Sequence, residues 1–167
     1  MLHGDHLAHA ILQSNMKCIQ YLKKNFPECV VQNKVVRSKL AEVVFHDSKK
    51  LQILQSMLFP KIKKQIQQSY ENMKNCHQYA SFIVELPLLH QTLSFCPWFD
   101  EIVLVSASHH ACWKRFMHRG FSSNQFVKRL QYFCSEKQIY ALPQPKSIIY
   151  NDGSIDHLKN QINKIFS

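Results

Sequence analysis

Two arginines four residues apart, Arg115 and Arg119, close a stretch whose residue types point to phosphate chemistry. A guanidinium keeps its charge at any ordinary pH, and its planar fork matches two phosphate oxygens at once. At i and i+4 the pair lies along one side of a helix, so it either meets a phosphoryl group or forms a solvated basic face. The residues ahead of the pair favour the first reading. The runs FIVEL (82–86) and EIVLVSA (101–107) are rich in Ile, Val and Leu and have no polar face. They read as strands of a parallel sheet covered on both sides. From His109 to His118 the spacing is helical, with Cys112, Trp113, Phe116 and Met117 on an apolar side. Strand, loop, strand, helix and arginine in that order suggest an α/β protein that handles phosphate.

The elements needed to position this stretch are mostly helices. Short helical pieces are expected over His6 to Leu12, Met16 to Asn25 and Ser38 to Phe45, the last with Leu40, Val43 and Val44 on one side. Ser48 is expected to cap a helix carrying Leu51, Leu54 and Leu58, and Pro60 suits the first turn of the next, with Ile62, Ile66 and Met73. Beyond Arg119, Gly120 ends its helix, and Ser122 or Ser123 caps another running through Cys134. Pro143 and Pro145 break the chain, SIIYN forms a short strand, and Ser154 caps a last helix to Phe166. Three more polar residues have two readings each. Asp5, alone before a helix, is suited to an N-cap. Arg37 either holds a phosphate or occupies the first turn of its helix, and Asn151 before Asp152 and Gly153 is ordinary turn chemistry.

With 167 residues, 46% hydrophobic and 19% charged, the chain suits one folded domain and not a disordered segment. A net charge of +10 implies anionic company: nucleic acid, acidic lipid or a polyphosphate ligand. No apolar run reaches the roughly 18 residues of a membrane span, and the first residues lack the pattern of a signal peptide. A soluble, cytoplasmic protein without membrane partners is expected, and no pattern sets an oligomeric state. The six cysteines contain no CxxC pair and are expected to be reduced thiols, several in the core. His3, His6 and His9, Cys76 with His77, and His109, His110 with Cys112 are close in sequence. They lack a second ligand pair at metal-site spacing, so no metal site is expected.

The order of these segments resembles the bacterial dephospho-coenzyme A kinases of the P-loop kinase superfamily. GDHLAHAIL is similar to that family's segment ending in Asp-Ala-Asp, with Asp5 in the place of the second aspartate. VVRSKLAEVVF resembles R-x-x-L-x-x-x-V-F, FIVELPLLH the strand and Pro-Leu-Leu loop, and FDEIVLVSA the strand F-D-x-V-x-V-x-A. KRFMHRGFSSNQFVKRL resembles the arginine-bearing lid, and IIYNDG the closing I-x-N-x-G. The resemblance implies an α/β, P-loop-kinase-like parallel sheet, incomplete at the N-terminus, with a helical substrate-side insert and a small lid. It would form a single domain over 1–167: insert at about 6–78, core strands and helix at 79–118, lid at 119–142, terminal strand and helix at 143–167. The implied reaction moves the ATP γ-phosphate, with Mg²⁺, to the 3′-hydroxyl of dephospho-CoA, the last step of coenzyme A biosynthesis. A lid must bring charge to the transferring phosphoryl group, which Arg115, Arg119 and Arg129 suit. By the same resemblance Asp5 faces the acceptor hydroxyl as base or orienting group, and Arg37, Pro87, Leu88 and Leu89 line the substrate side. Arg129 and Asn151 belong to the nucleotide.

The chain also departs from that family. Its three glycines, Gly4, Gly120 and Gly153, cannot compose a GxxxxGK[ST] loop. The family's first strand, P-loop, helix and second strand take roughly 30 residues at typical element lengths, and the chain begins where they end. An N-terminally shortened member without unaided ATP binding is therefore expected. Phe59, Gln91, Phe133 and Pro145-Lys146 replace the usual His, acid, Gln and Ala-Asp. The competing reading is a non-catalytic remnant or a basic RNA-binding module, for which Trp113, Phe116, Phe121 and Tyr132 stand among basic residues. No helix-turn-helix, RNP or zinc signature accompanies them, so nucleic acid is not the expected partner.

Overall fold

The computed structural model describes residues 1–76, 81–87, 90–131, 133, 135–144 and 146–166. The chain divides into two compact units, Met1–Pro87 and Leu88–Ser167.

The first unit is helical with short strands at its margins. Strand β1 (Leu2–His3) leads directly into α1 (Gly4–Ser14), which is followed by α2 (Met16–Asn25). The Asn15 side chain accepts from the Cys18 N–H and caps α2. A 3-10 turn at Pro27–Cys29 then opens a hairpin of β2 (Val30–Val31) and β3 (Lys34–Val35). The turn residues Gln32 and Asn33 both have positive φ, 47° and 58°. Two such residues suit the twist of a two-residue hairpin, usually with glycine present. Without glycine at this turn, sequence patterns do not announce the hairpin.

Helix α3 (Arg37–His46) and the long α4 (Ser48–Cys76) follow, and α1 and α3 both pack on α4. Leu51, Leu54, Leu58, Ile62 and Ile66 recur at three- and four-residue steps and are all buried. Each such side chain contributes about 1.5–3 kcal/mol when fully removed from water. Opposite them lie Ile11, Leu12, Leu40 and Val44. Two details differ from expectation. The α4 cap is Asp47, whose Oδ1 accepts from Lys49 and Lys50 N–H, while Ser48 is the first helical residue. Pro60 does not begin a new helix but lies inside α4. The apolar stripe runs unbroken on both sides of the proline, and that burial outweighs the one backbone bond it removes. The unit closes with β4 (Val84–Glu85), only two residues of the FIVEL run, paired parallel to β1 in the register Leu2↔Val84 and His3↔Glu85.

In the second unit, a 3-10 stretch at His90–Trp98 precedes β5 (Ile102–Ser106) and α5 (His109–His118). After them come α6 (Ser123–Leu130), α7 (Glu136–Tyr140), β6 (Lys146–Tyr150) and α8 (Ile155–Phe166). β5 and β6 pair in parallel over five residues, from Ile102↔Lys146 to Ser106↔Tyr150. Leu104 and Ile139 form the centre of a small core with Leu93, Leu142 and Ile148. The sheet is not covered on both sides, since Val105 is 59% exposed. The helix expected through Cys134 ends at Leu130, and a separate α7 follows. Ser135 and Gln138 form a capping box there, a local signal strong enough to start a five-residue helix. Ser154 accepts from the His157 N–H and caps α8, as its position implied. Gln161 of α8 reaches back to β6: its Nε2 donates to the Tyr150 carbonyl and its Oε1 accepts from the Tyr150 N–H, both at 2.9 Å.

Among the described residues no helix is long and apolar enough to cross a membrane. Cys18 and Cys29 are buried free thiols and Cys112 is an exposed one. Burial pushes the Cys18, Cys29 and Cys96 thiols up, which keeps them protonated and unreactive.

Candidate functional site

The arginine-bearing segment is built by three local signals. Ser108 Oγ accepts from the Ala111 N–H and starts α5 directly after β5. At the far end Arg119 is the C-cap, and Gly120 takes φ +82° with its N–H donating to the Met117 carbonyl. That left-handed residue turns the chain where a side chain would be strained. Ser122 and Gln125 then form a capping box and α6 begins. The reversal folds α6 against α5 and brings three guanidiniums to one place.

Between them lies a cavity of about 260 Å³ lined by Cys112, Arg115, Phe116, Arg119, Phe126, Arg129, Leu130 and Phe133. Among the described residues the lining holds three arginines and no carboxylate. Its floor is aromatic: Phe116 stacks on Phe121 with centroids 4.6 Å apart and lies 5.4 Å from Phe126. The Arg129 guanidinium rests above Phe116 and Phe121, 5.3 and 5.0 Å from their centroids. Such contacts hold a cation in one orientation. Partial burial lowers the Arg129 pKa, yet a guanidinium remains charged at ordinary pH. Three guanidiniums beside an apolar floor are a cationic arrangement suited to an anion.

Asn151 joins the same constellation. Arg115 Nη2 donates to the Asn151 carbonyl at 2.7 Å and approaches its Oδ1 at 3.4 Å. The Asn151 N–H donates to the Ser106 carbonyl and extends the β5–β6 ladder by one bond. Next to it, Asp152 Oδ1 accepts from the Ser108 N–H at 2.8 Å. Hydrogen bonds from the Ser108 backbone and side chain, with a smaller pull from Arg115, hold the Asp152 carboxyl below its ordinary range. The structure thus brings Arg115, Arg119, Arg129 and Asn151 into one site. Sequence patterns did not single out Phe126, Leu130, Ser108 or Asp152. The usable signals were the Phe126 and Leu130 spacing of four on α6, and the carboxylate beside Asn151.

The remaining candidates belong to the first unit or lie outside the described residues. Asp5 is exposed in the first turn of α1, and the N-cap position is held by His3 without a side-chain bond, so the cap reading of Asp5 fails. An extended His3 backbone in the β1–β4 ladder fixes where the helix starts, two residues earlier than a cap at Asp5 needs. The preceding Gly4 is buried. A Cβ there would stand 2.8 Å from Leu86 Cδ2 and 3.1 Å from the Glu85 carbonyl oxygen, so only glycine lets α1 leave the strand this close to β4. Arg37 is exposed at the first position of α3, and Pro87 is half-buried just after β4. Leu88 and Leu89 lie outside the described residues. Among the described residues no group of three or more His, Cys, Asp or Glu side chains is arranged to hold a metal ion.

Comparison with known proteins bears on the fold and the family of the chain. A crystal structure from Thermus thermophilus superposes with a TM-score of 0.73 at 23% identity, covering 99% of this chain and 82% of that one. A dephospho-CoA kinase from Campylobacter jejuni superposes with a TM-score of 0.63 at 23% identity and the same coverage. The sequence is 30% identical over 143 residues to a dephospho-CoA kinase of Chlamydia caviae, spanning 84% of this chain and 68% of that protein. The RNA-binding alternative gains nothing from these matches. The family model described as dephospho-CoA kinase matches residues 1–157, across both units, and the chain belongs to that family.

Proposed function

We propose that this chain serves the transfer of the ATP γ-phosphate to the 3′-hydroxyl of dephospho-CoA in the cytoplasm, with its two units as parts of one kinase domain. The observation that carries the reading is the cavity whose lining brings three guanidiniums together. Phosphoryl transfer spreads negative charge over phosphate oxygens, and fixed cations stabilise that charge. Arg115 and Arg119 take this role, Arg129 and Asn151 hold the nucleotide, and Asp5 orients or deprotonates the acceptor hydroxyl. Arg37, Pro87, Leu88 and Leu89 serve the substrate side. The residues present suit ATP phosphates. Mg²⁺, which neutralises phosphate charge in such reactions, would be held mainly by phosphate oxygens and water, since among the described residues the cavity lining supplies no carboxylate.

Titration of the purified chain with dephospho-CoA, read by calorimetry and thermal shift, tests the reading. Saturable binding is expected, with RNA affinity low and steeply dependent on salt. Tight, salt-resistant RNA binding with no response to dephospho-CoA would overturn it.

A further inference from the structure

The arginine helix α5 is fastened at its start by a group that the phosphate chemistry does not require. Asp152 accepts from the Ser108 N–H at 2.8 Å, across 44 residues of sequence. Its neighbour Asn151 accepts from Arg115 Nη2 and donates to the Ser106 carbonyl. The turn after β6 therefore grips α5 at both its first and its second turn.

We propose that Asp152 is a positioning residue, tying the start of α5 to the turn after β6 so that Arg115 and Arg119 face the cavity on a fixed bearing. This rests on the reading of the cavity as a phosphate site. The reason is leverage. At about 1.5 Å per residue, Arg119 lies roughly 16 Å along the axis from Ser108, so a tilt of about 10° at Ser108 displaces it by about 3 Å. Phosphate contacts tolerate far less than that. Ser108 is held from two sides, its Oγ accepting from Ala111 N–H while its own N–H is taken by Asp152, and this fixes the direction in which α5 leaves the sheet. Asn151 alone does not do this, because its contact with α5 is to the far end of a long side chain and not to the helix backbone.

The test uses the 167-residue chain with inorganic tripolyphosphate as the probe, and NMR of the Arg115 guanidinium, whose hydrogen-bonded Nη protons rotate and exchange slowly. Asp152→Ala should weaken tripolyphosphate binding about tenfold and speed Arg115 rotation. Asp152→Asn keeps an oxygen that accepts from Ser108 N–H and should lose less than about threefold. Wild-type affinity and an unchanged Arg115 signal in Asp152→Ala would overturn the proposal, as would an asparagine variant as impaired as the alanine one. If Asp152→Ala does not fold, Asp152→Asn decides: a retained slow Arg115 signal supports the tie, and its loss overturns it. Should the wild type fail to bind tripolyphosphate, the phosphate reading of the cavity falls, while the guanidinium signal still judges the tie.

Discussion

At the scale of single residues, the site separates arginines by how they are held. Arg129 lies on two phenylalanine rings and Arg115 on the Asn151 carbonyl, whereas Arg119 caps α5 through its backbone. Arg119→Ala, made in a form of the protein that also carries a P-loop, should therefore lower kcat about a hundredfold or more while changing dephospho-CoA affinity little. Steady-state kinetics beside calorimetry give both numbers, and equal loss in kcat and affinity would remove Arg119 from the transition state. Asp5→Asn in the same form should depress kcat without lowering Tm, because the exposed carboxylate is not the cap of α1. A lowered Tm with intact kcat would return Asp5 to a structural role. Asp152 adds a dependence on acid. Its folded pKa lies below the ordinary 3.8, so its contribution to stability is complete above that value and disappears as pH falls through the lower one. Acid unfolding of wild type and Asp152→Asn should differ above pH 3.8 and converge as pH falls through the lower, folded pKa, by a modest amount because the group is solvent-exposed.

At the scale of elements, helices were the most legible part of the chain and strands the least. The bounds expected for α2 and α5 from spacing, Met16 to Asn25 and His109 to His118, are those observed, and the structure adds Asn15 and Ser108 as their caps. The β2–β3 hairpin was hidden because Gln32 and Asn33 adopt positive φ without glycine, and β1 is too short to show any period. Pro60 misled for a physical reason, since local backbone chemistry argued for a break and the Leu51 to Ile66 stripe overrode it. Pro60→Ala tests that balance. The proline is exposed, so alanine gives up no packing and restores a donor to the Ser56 carbonyl, and stability should rise by about 1–3 kcal/mol in denaturant titrations. Gly4→Ala should act in the opposite direction. Its Cβ would press on the Glu85 carbonyl and Leu86, costing about 1–3 kcal/mol and splaying β1 from β4.

At the scale of the whole molecule, the arginines of the cavity were readable from their spacing, while its walls were not. Phe126, Leu130 and Phe133 reach the cavity only after Gly120 reverses the chain, and a pattern within one helix carries no trace of that fold-back. The glycine count leads to one further expectation. With ATP, Mg²⁺ and dephospho-CoA, the 167-residue chain should form no measurable CoA, and joining a segment with a GxxxxGK[ST] loop ahead of Leu2 should bring activity. A coupled assay for ADP release decides it, and Mg²⁺-dependent turnover by the chain alone would show that the guanidinium cavity suffices to hold the triphosphate.

The Gln161 amide, spanning the N–H and C=O of Tyr150, imitates an adjoining strand with a single side chain. It makes the Tyr150 amide proton a clock for α8. As the last residue of β6, Tyr150 would ordinarily trade its hydrogen with solvent as freely as any frayed strand end. Here that exchange waits on α8 lifting away, so the Tyr150 protection factor in deuterium oxide reports how often the helix undocks, and Gln161→Ala should set it to the rate of open chain.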